Sequence, residues 1–246
     1  EAVKRGLRPV LAGRSAASLE PLAQKHGLPV RAFALDNAQA LRCGLNGIGL
    51  VMHCAGPFSA TCAPMLEACL DVGAHYLDIT GEIDVFAHCH AQDARAREKG
   101  IVVLPGSGFD VVPTDCLAAQ LKRELPSADS LVLAFEAGGG PSPGTAKTSV
   151  EGLGKGGRAR IDGKMTRVPL AWKTRTFERD GEQRFAMTIP WGDVYTAYVS
   201  TGIGNVEVYM GVPPGTATKL RRLRLLGPLL GLGPVQALLK KQVEKR

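Results

Sequence analysis

Residues 49–82 read GLVMHCAGPFSATCAPMLEACLDVGAHYLDITGE, and this stretch decides the fold. Leu50-Val51-Met52-His53-Cys54 is a short apolar run closed by Ala55-Gly56-Pro57, the length and punctuation of a buried parallel strand. Cys62, Met65, Leu66, Cys69 and Leu70 then fall on one helical stripe, with Pro64 expected in the first turn and Gly73 as the stop. Tyr76 to Thr80 is the next strand. Strand, helix and strand in this order make a βαβ unit, and such units build parallel sheets whose ligands lie at the C-terminal strand ends. The loops at those ends, Ala55-Gly56-Pro57-Phe58 and Thr80-Gly81-Glu82, are small or polar.

The same alternation extends in both directions. Glu1 to Gly6 reads as the last turn of a helix, Leu7 to Ala12 as a strand, and Ala16 to His26 as a helix capped by Ser15 and stopped by Gly27. Val30 to Leu35 is a strand ending at Asp36-Asn37. Ile83 to Lys99 is a helix, acidic first and basic last, as its dipole favours. Ile101 to Leu104 is a further strand, and Pro113 opens a helix to Glu124. Residues 1–125 are therefore expected to form an α/β, Rossmann-type doubly wound parallel sheet. A dinucleotide fold opens with a strand and a glycine-rich turn. Neither is found here, so both are expected upstream of Glu1.

From Ser130 the rhythm becomes α+β, over residues 126–218. Leu131 to Phe135 is a strand, Gly144-Thr145-Ala146 starts a helix, and Asp162-Gly163 joins a hairpin. Phe185 to Ile189 and Asn205 to Val212 are strands flanking a helix from Asp193 to Ser200. Residues 219–246 form a basic, apolar segment.

The formal charge of +7 sits in that segment, which holds eight Lys or Arg and one Glu; the first 218 residues carry 22 basic and 22 acidic groups. With a neutral body and no aromatic-plus-basic stripe, a nucleic-acid partner is not expected. The final segment is too short and too broken by Gly and Pro to span a bilayer. It suits peripheral contact with an anionic membrane, a homodimer interface or a neighbouring part of the chain, and the sequence leaves all three open. Six cysteines without a C-x-x-C point to free thiols in a reducing, cytoplasmic compartment. His88-Cys89-His90 point in different directions on a helix, so no metal is expected there.

Arg14 and Ser15 follow the second strand of the expected Rossmann unit, where Arg accommodates the 2′-phosphate of NADP(H). Asp36 stands where it can accept from the adenine amine. Gly56 and Pro57 let a cofactor approach the backbone. Thr80-Gly81-Glu82 and Gly108-Phe109-Asp110 end the strands nearest the nicotinamide half. A hydride transfer also needs a proton source, and Tyr76, Asp78 or Asp110 could serve. Alternation sends Tyr76 and Asp78 to the same face.

Six pieces together resemble the saccharopine dehydrogenase-like oxidoreductases, especially the branch containing the bacterial trans-acting enoyl reductases. They are AGRS (12–15), CAGPF (54–58), GAHYLDITGE (73–82), GSGFDVVPTD (106–115), GTAKTS (144–149) and DVYTAYVSTGI (193–203). The resemblance implies NADPH as hydride donor and a second α+β domain over the nicotinamide. It implies a lipid-like, small-molecule or carrier-bound acyl substrate, reduced at a double bond. It places Arg14 and Ser15 at the 2′-phosphate and Ala55, Gly56, Pro57, Thr80, Gly81, Phe109 and Asp110 along the cofactor. Family members also continue past a tail like this one. The alternative is a non-catalytic Rossmann scaffold held to a membrane surface or a partner enzyme.

Overall fold

The computed structural model of the chain describes residues 1–138, 150, 152–224 and 227–243. It divides into two compact units: residues 1–78 with 88–105, and residues 79–87 with 106–246. Residues 112–124 group with the second unit.

The first unit alternates strand and helix. β1 (Leu11–Gly13) leads into α1 (Ala16–His26), β2 (Val30–Ala32), α2 (Ala38–Gly44), β3 (Leu50–His53), α3 (Phe58–Val72) and β4 (His75–Asp78). α4 (Ile83–His90), whose residues 83–87 belong to the second unit, α5 (Asp93–Glu98) and β5 (Val103–Leu104) follow. Every strand pairing in this unit is parallel, as βαβ connections require: β1 with β2, β3 with β4, and β4 with β5. The sheet is in two pieces, β1–β2 and β3–β4–β5. A doubly wound order of 3-2-1-4-5-6 sets one further strand between such pieces, and no described strand occupies that position.

Several element bounds differ from the sequence-based expectation for physical reasons. β1 starts at Leu11 rather than Leu7, because Pro9 has no N–H to give a ladder. α3 starts at Phe58, so Pro64 lies inside the helix and not in its first turn. The Thr61 hydroxyl donates to the Ala55 and Pro57 carbonyls, tying the loop to the first turn. The expected helix from Ile83 to Lys99 is two helices, interrupted at residues 91–92. α3 buries Cys62, Met65, Leu66, Cys69 and Leu70, the stripe read from spacing, and adds Ala68.

The second unit is built on a sheet of six strands. After α6 (Val112–Glu124) come β6 (Ser130–Phe135), β7 (Gly157–Ile161), β8 (Lys164–Val168), β9 (Thr174–Arg179) and β10 (Glu182–Thr188). α7 (Asp193–Thr201), β11 (Asn205–Gly211), α8 (Pro214–Leu223), α9 (Gly227–Leu230) and α10 (Gly233–Val243) complete it. The order runs β8-β7-β11-β10-β9, with β6 pairing β11 in parallel. Asp162-Gly163 turns the β7–β8 hairpin with φ of 49° and 76°, the left-handed pair that a two-residue turn demands. Asp180-Gly181 does the same for β9–β10, at φ of 54° and 76°. The core gathers Ile83, Ala118, Leu131, Leu133, Val194, Ala197, Ile203, Val206 and Val208, so α6 and α7 cover one face of the sheet.

α8 crosses the expected boundary at 218/219. Leu220 packs with Ala171, Met187 and Ala217. Arg221 donates to the Ala171 carbonyl, and Arg224 to those of Leu170 and Ala171. The first turns of the basic segment are thus docked on their own domain. No described helix is long and apolar enough to cross a membrane. The expected helix start at Gly144-Thr145-Ala146 and the piece GTAKTS lie outside the described residues.

Candidate functional site

The candidate cofactor residues of the first unit occupy the C-terminal ends of its parallel strands. β1 ends at Gly13, and Arg14 and Ser15 follow immediately, both exposed. Ser15 caps α1, its hydroxyl accepting from Ser18 N at 3.4 Å. Arg14 has no hydrogen bond or ion pair among the described residues, so its guanidinium stands available beside a helix N-terminus that favours anions. Asp36, also exposed, borders a cleft of about 150 Å³ that Glu67 and Asp71 line as well, an acidic wall that gives a phosphate no support. Ala55, Gly56 and Pro57 are exposed at the end of β3. A Cβ on Gly56 would meet nothing closer than the Phe58 ring at 3.5 Å, so the backbone there is open to approach. Arg14, the Ser15 cap and the open Gly56 backbone fit a dinucleotide.

Tyr76 and Asp78 sit differently. Alternation does put them on one face of β4, and the Tyr76 hydroxyl donates to Asp78 Oδ2 at 2.7 Å. Both side chains are fully buried, however, against the apolar stripe of α3. Burial, and then Asp78, push the phenol far above its ordinary range. This pair is an interior hydrogen bond, and neither side chain reaches the surface of the structure. His53, on β3, is buried as well; its Nε2 lies 3.0 Å from Thr61 Oγ1, and burial lowers its pKa.

The candidates of the second unit form a polar group around Gly81. Thr80 is buried, and its hydroxyl accepts from Glu82 N at 3.1 Å, closing the turn. Asp110 packs over Gly81, where a Cβ would come 2.6 Å from its Oδ2. Burial raises the Asp110 carboxyl above the usual carboxylate range. Phe109 beside it is 74% exposed, unusual for a large apolar ring and suited to meeting a ligand.

Sequence reasoning missed three residues here. Trp191 Nε1 donates to the Asp110 carbonyl at 2.5 Å, holding that loop in place. Asp193, the first residue of α7, is fully buried and accepts from the Thr114 hydroxyl. Its second oxygen, Oδ2, has no hydrogen-bond partner among the described residues. Burial pushes its carboxyl up to about 7, against the Thr114 hydrogen bond; Asp115 and Asp110 add to the rise. The available signal was the aspartate opening DVYTAYVSTGI, but Thr114 and Asp193 stand 79 positions apart.

Residues 2–104 match the family described as saccharopine dehydrogenase NADP binding domain. A saccharopine dehydrogenase-like oxidoreductase of Mus musculus is 30% identical over 168 residues, covering 61% of this chain and 39% of the mouse protein. One from Arabidopsis thaliana is 37% identical over 67 residues, covering 27% of this chain and 15% of its own length. Among solved structures, the apo saccharopine dehydrogenase (L-Glu forming) of Saccharomyces cerevisiae superposes with a TM-score of 0.65 at 14% identity. That match covers 90% of this chain and 53% of the yeast chain, and it shows a shared fold. The chain thus spans well under half of the mouse relative, and its residues 2–104 are similar to the NADP binding domain of saccharopine dehydrogenase.

Proposed function

We propose that this chain belongs to an NADPH-dependent reductase that acts on a carbon–carbon double bond of a lipid-like or acyl substrate. The observation that carries the cofactor half is Arg14: exposed, without a partner among the described residues, directly after β1 and beside the Ser15 cap. A 2′-phosphate needs such a cation, and a charge-assisted hydrogen bond contributes about 1.5–3 kcal/mol, so NADPH is favoured over NADH by about 10- to 100-fold. Gly56 and the Ala55–Pro57 backbone border the rest of the nucleotide.

When bound, the reduced nicotinamide supplies the hydride. The protein's part is then to orient the substrate and deliver a proton to the neighbouring carbon. Asp110 suits that role better than the buried Tyr76 and Asp78: its carboxyl is half-buried, its pKa is raised by burial, and Trp191 fixes its backbone. The apolar ring of Phe109 offers an acyl chain its contact surface, and the resemblance to enoyl reductases supports the substrate class.

Calorimetric titration of the intact protein with NADPH and NADH, with Arg14→Ala alongside, tests the cofactor reading; equal affinities in the wild type overturn it. NADPH oxidation followed at 340 nm with a series of enoyl thioesters tests the substrate class. Turnover on saturated oxo or imine substrates alone, with none on enoyl thioesters, removes the double-bond assignment.

A further inference from the structure

Thiols concentrate around one point of the first unit. Cys62 and Cys69 on α3 and Cys89 on the last turn of α4 are all buried, and the Cys62 and Cys89 sulfurs lie 3.6 Å apart. Asp78, at the end of β4, closes the group. One ligand atom each from Cys62, Cys89 and Asp78 lies within 4.8 Å of the other two. The expectation of no metal rested on His88-Cys89-His90, and those neighbours do diverge: Cys89 points inward while His90 is exposed. The three-residue group arises instead from three separate elements, which no sequence spacing announces.

We propose that Cys62, Cys89 and Asp78 form a binding site for a thiophilic divalent cation, Zn²⁺ above all. The geometry fits. Tetrahedral bonds of about 2.3 Å to sulfur give a sulfur–sulfur edge of about 3.8 Å, close to the 3.6 Å observed. Two sulfurs and one carboxylate select Zn²⁺ over Mg²⁺ or Ca²⁺, which take oxygen alone. Three protein ligands leave a fourth position for a solvent molecule. Tyr76 supplies the outer support such sites need, its hydroxyl holding Asp78 Oδ2 and so fixing the carboxylate's orientation. Buried cysteines often serve as small apolar fillers; here two of them face each other with a carboxylate alongside.

Binding has a further signature. A zinc-bound cysteine is a thiolate, whereas a free one is a thiol at neutral pH. Loading the site therefore releases protons and strengthens as pH rises.

The test is a Co²⁺ titration of the reduced chain, followed by absorbance. We expect one Co²⁺ per chain, with near-ultraviolet sulfur-to-cobalt charge transfer and strong visible bands of a tetrahedral ion, both erased by added Zn²⁺. Proton release on loading and an upward Tm shift with Zn²⁺ should accompany them. Cys89→Ala should lose the charge-transfer bands while keeping its far-ultraviolet circular dichroism, whereas Cys69→Ala, an equally buried neighbour, should keep both. Absence of the bands in the wild type at saturating Co²⁺ overturns the proposal, whatever the variants do. Their persistence in Cys89→Ala also overturns it.

Discussion

The carboxylate of Asp110 occupies the space that a side chain on Gly81 would need: a Cβ there would lie 2.6 Å from Asp110 Oδ2 and 3.2 Å from its Cβ. Gly81→Ala therefore turns the carboxylate aside. The colliding atom is the free end of a side chain, so the fold should lose little, about 1 kcal/mol or less. If Asp110 delivers the proton, kcat should fall about 10- to 100-fold while the affinity for NADPH holds. Unchanged turnover would remove Asp110 from the chemistry.

Asp193 couples stability to pH. Its carboxyl is raised from the ordinary value near 4 to about 7 in the folded chain. The native state thus holds the proton that the unfolded state has released, and stability from this group is lost as pH rises from about 4 to 7. Asp193→Asn keeps an oxygen to accept from Thr114 and carries no charge. Urea denaturation should show the variant gaining on the wild type between pH 5 and pH 8, on the order of 2–4 kcal/mol. A flat difference across that range would place the Asp193 titration elsewhere.

Tyr76→Phe separates an interior role from a catalytic one. The substitution leaves Asp78 Oδ2 without the hydroxyl that now donates to it. Stability should fall by about 1–3 kcal/mol, with kcat and its pH profile unmoved. A fall in kcat at unchanged stability would instead make Tyr76 a proton donor.

Ser15 and Arg14 are adjacent but should fail differently. Ser15→Ala removes a cap whose hydrogen bond is long, and should cost about 0.5–1 kcal/mol in thermal or denaturant unfolding. Arg14→Ala should leave stability untouched and weaken NADPH alone, by about 10- to 100-fold. Equal loss of NADH affinity would show that Arg14 meets a part common to both nucleotides.

Local signals were legible where one residue's chemistry decides the backbone. Ser15 and Gly27 bracket α1 as read, and Asp162-Gly163 turns its hairpin. The same dipeptide at 180–181 went unread because β9, TRTFER, offers almost no apolar alternation around Phe177. The start of α3 was misread because proline usually marks a first turn, whereas the Thr61 hydroxyl stabilises an earlier one. The site divides along the same line. Arg14, Ser15 and the Ala55–Pro57 loop follow strands directly, so strand order located them. Asp193 with Thr114, and Cys62 with Cys89, meet only through tertiary packing, and no period or spacing encodes that. Tyr76 and Asp78 were placed on the correct face, but alternation does not say whether that face meets ligand or core.

The two-piece parallel sheet has a consequence for β3. Among the described residues β3 hydrogen-bonds to β4 alone, and Leu50 and Met52 on it are each about half exposed. That side of β3 is where a doubly wound order sets its first strand. A parallel strand pairing there would cover both side chains and carry its C-terminal turn to the same end of the sheet as the Ala55–Pro57 loop.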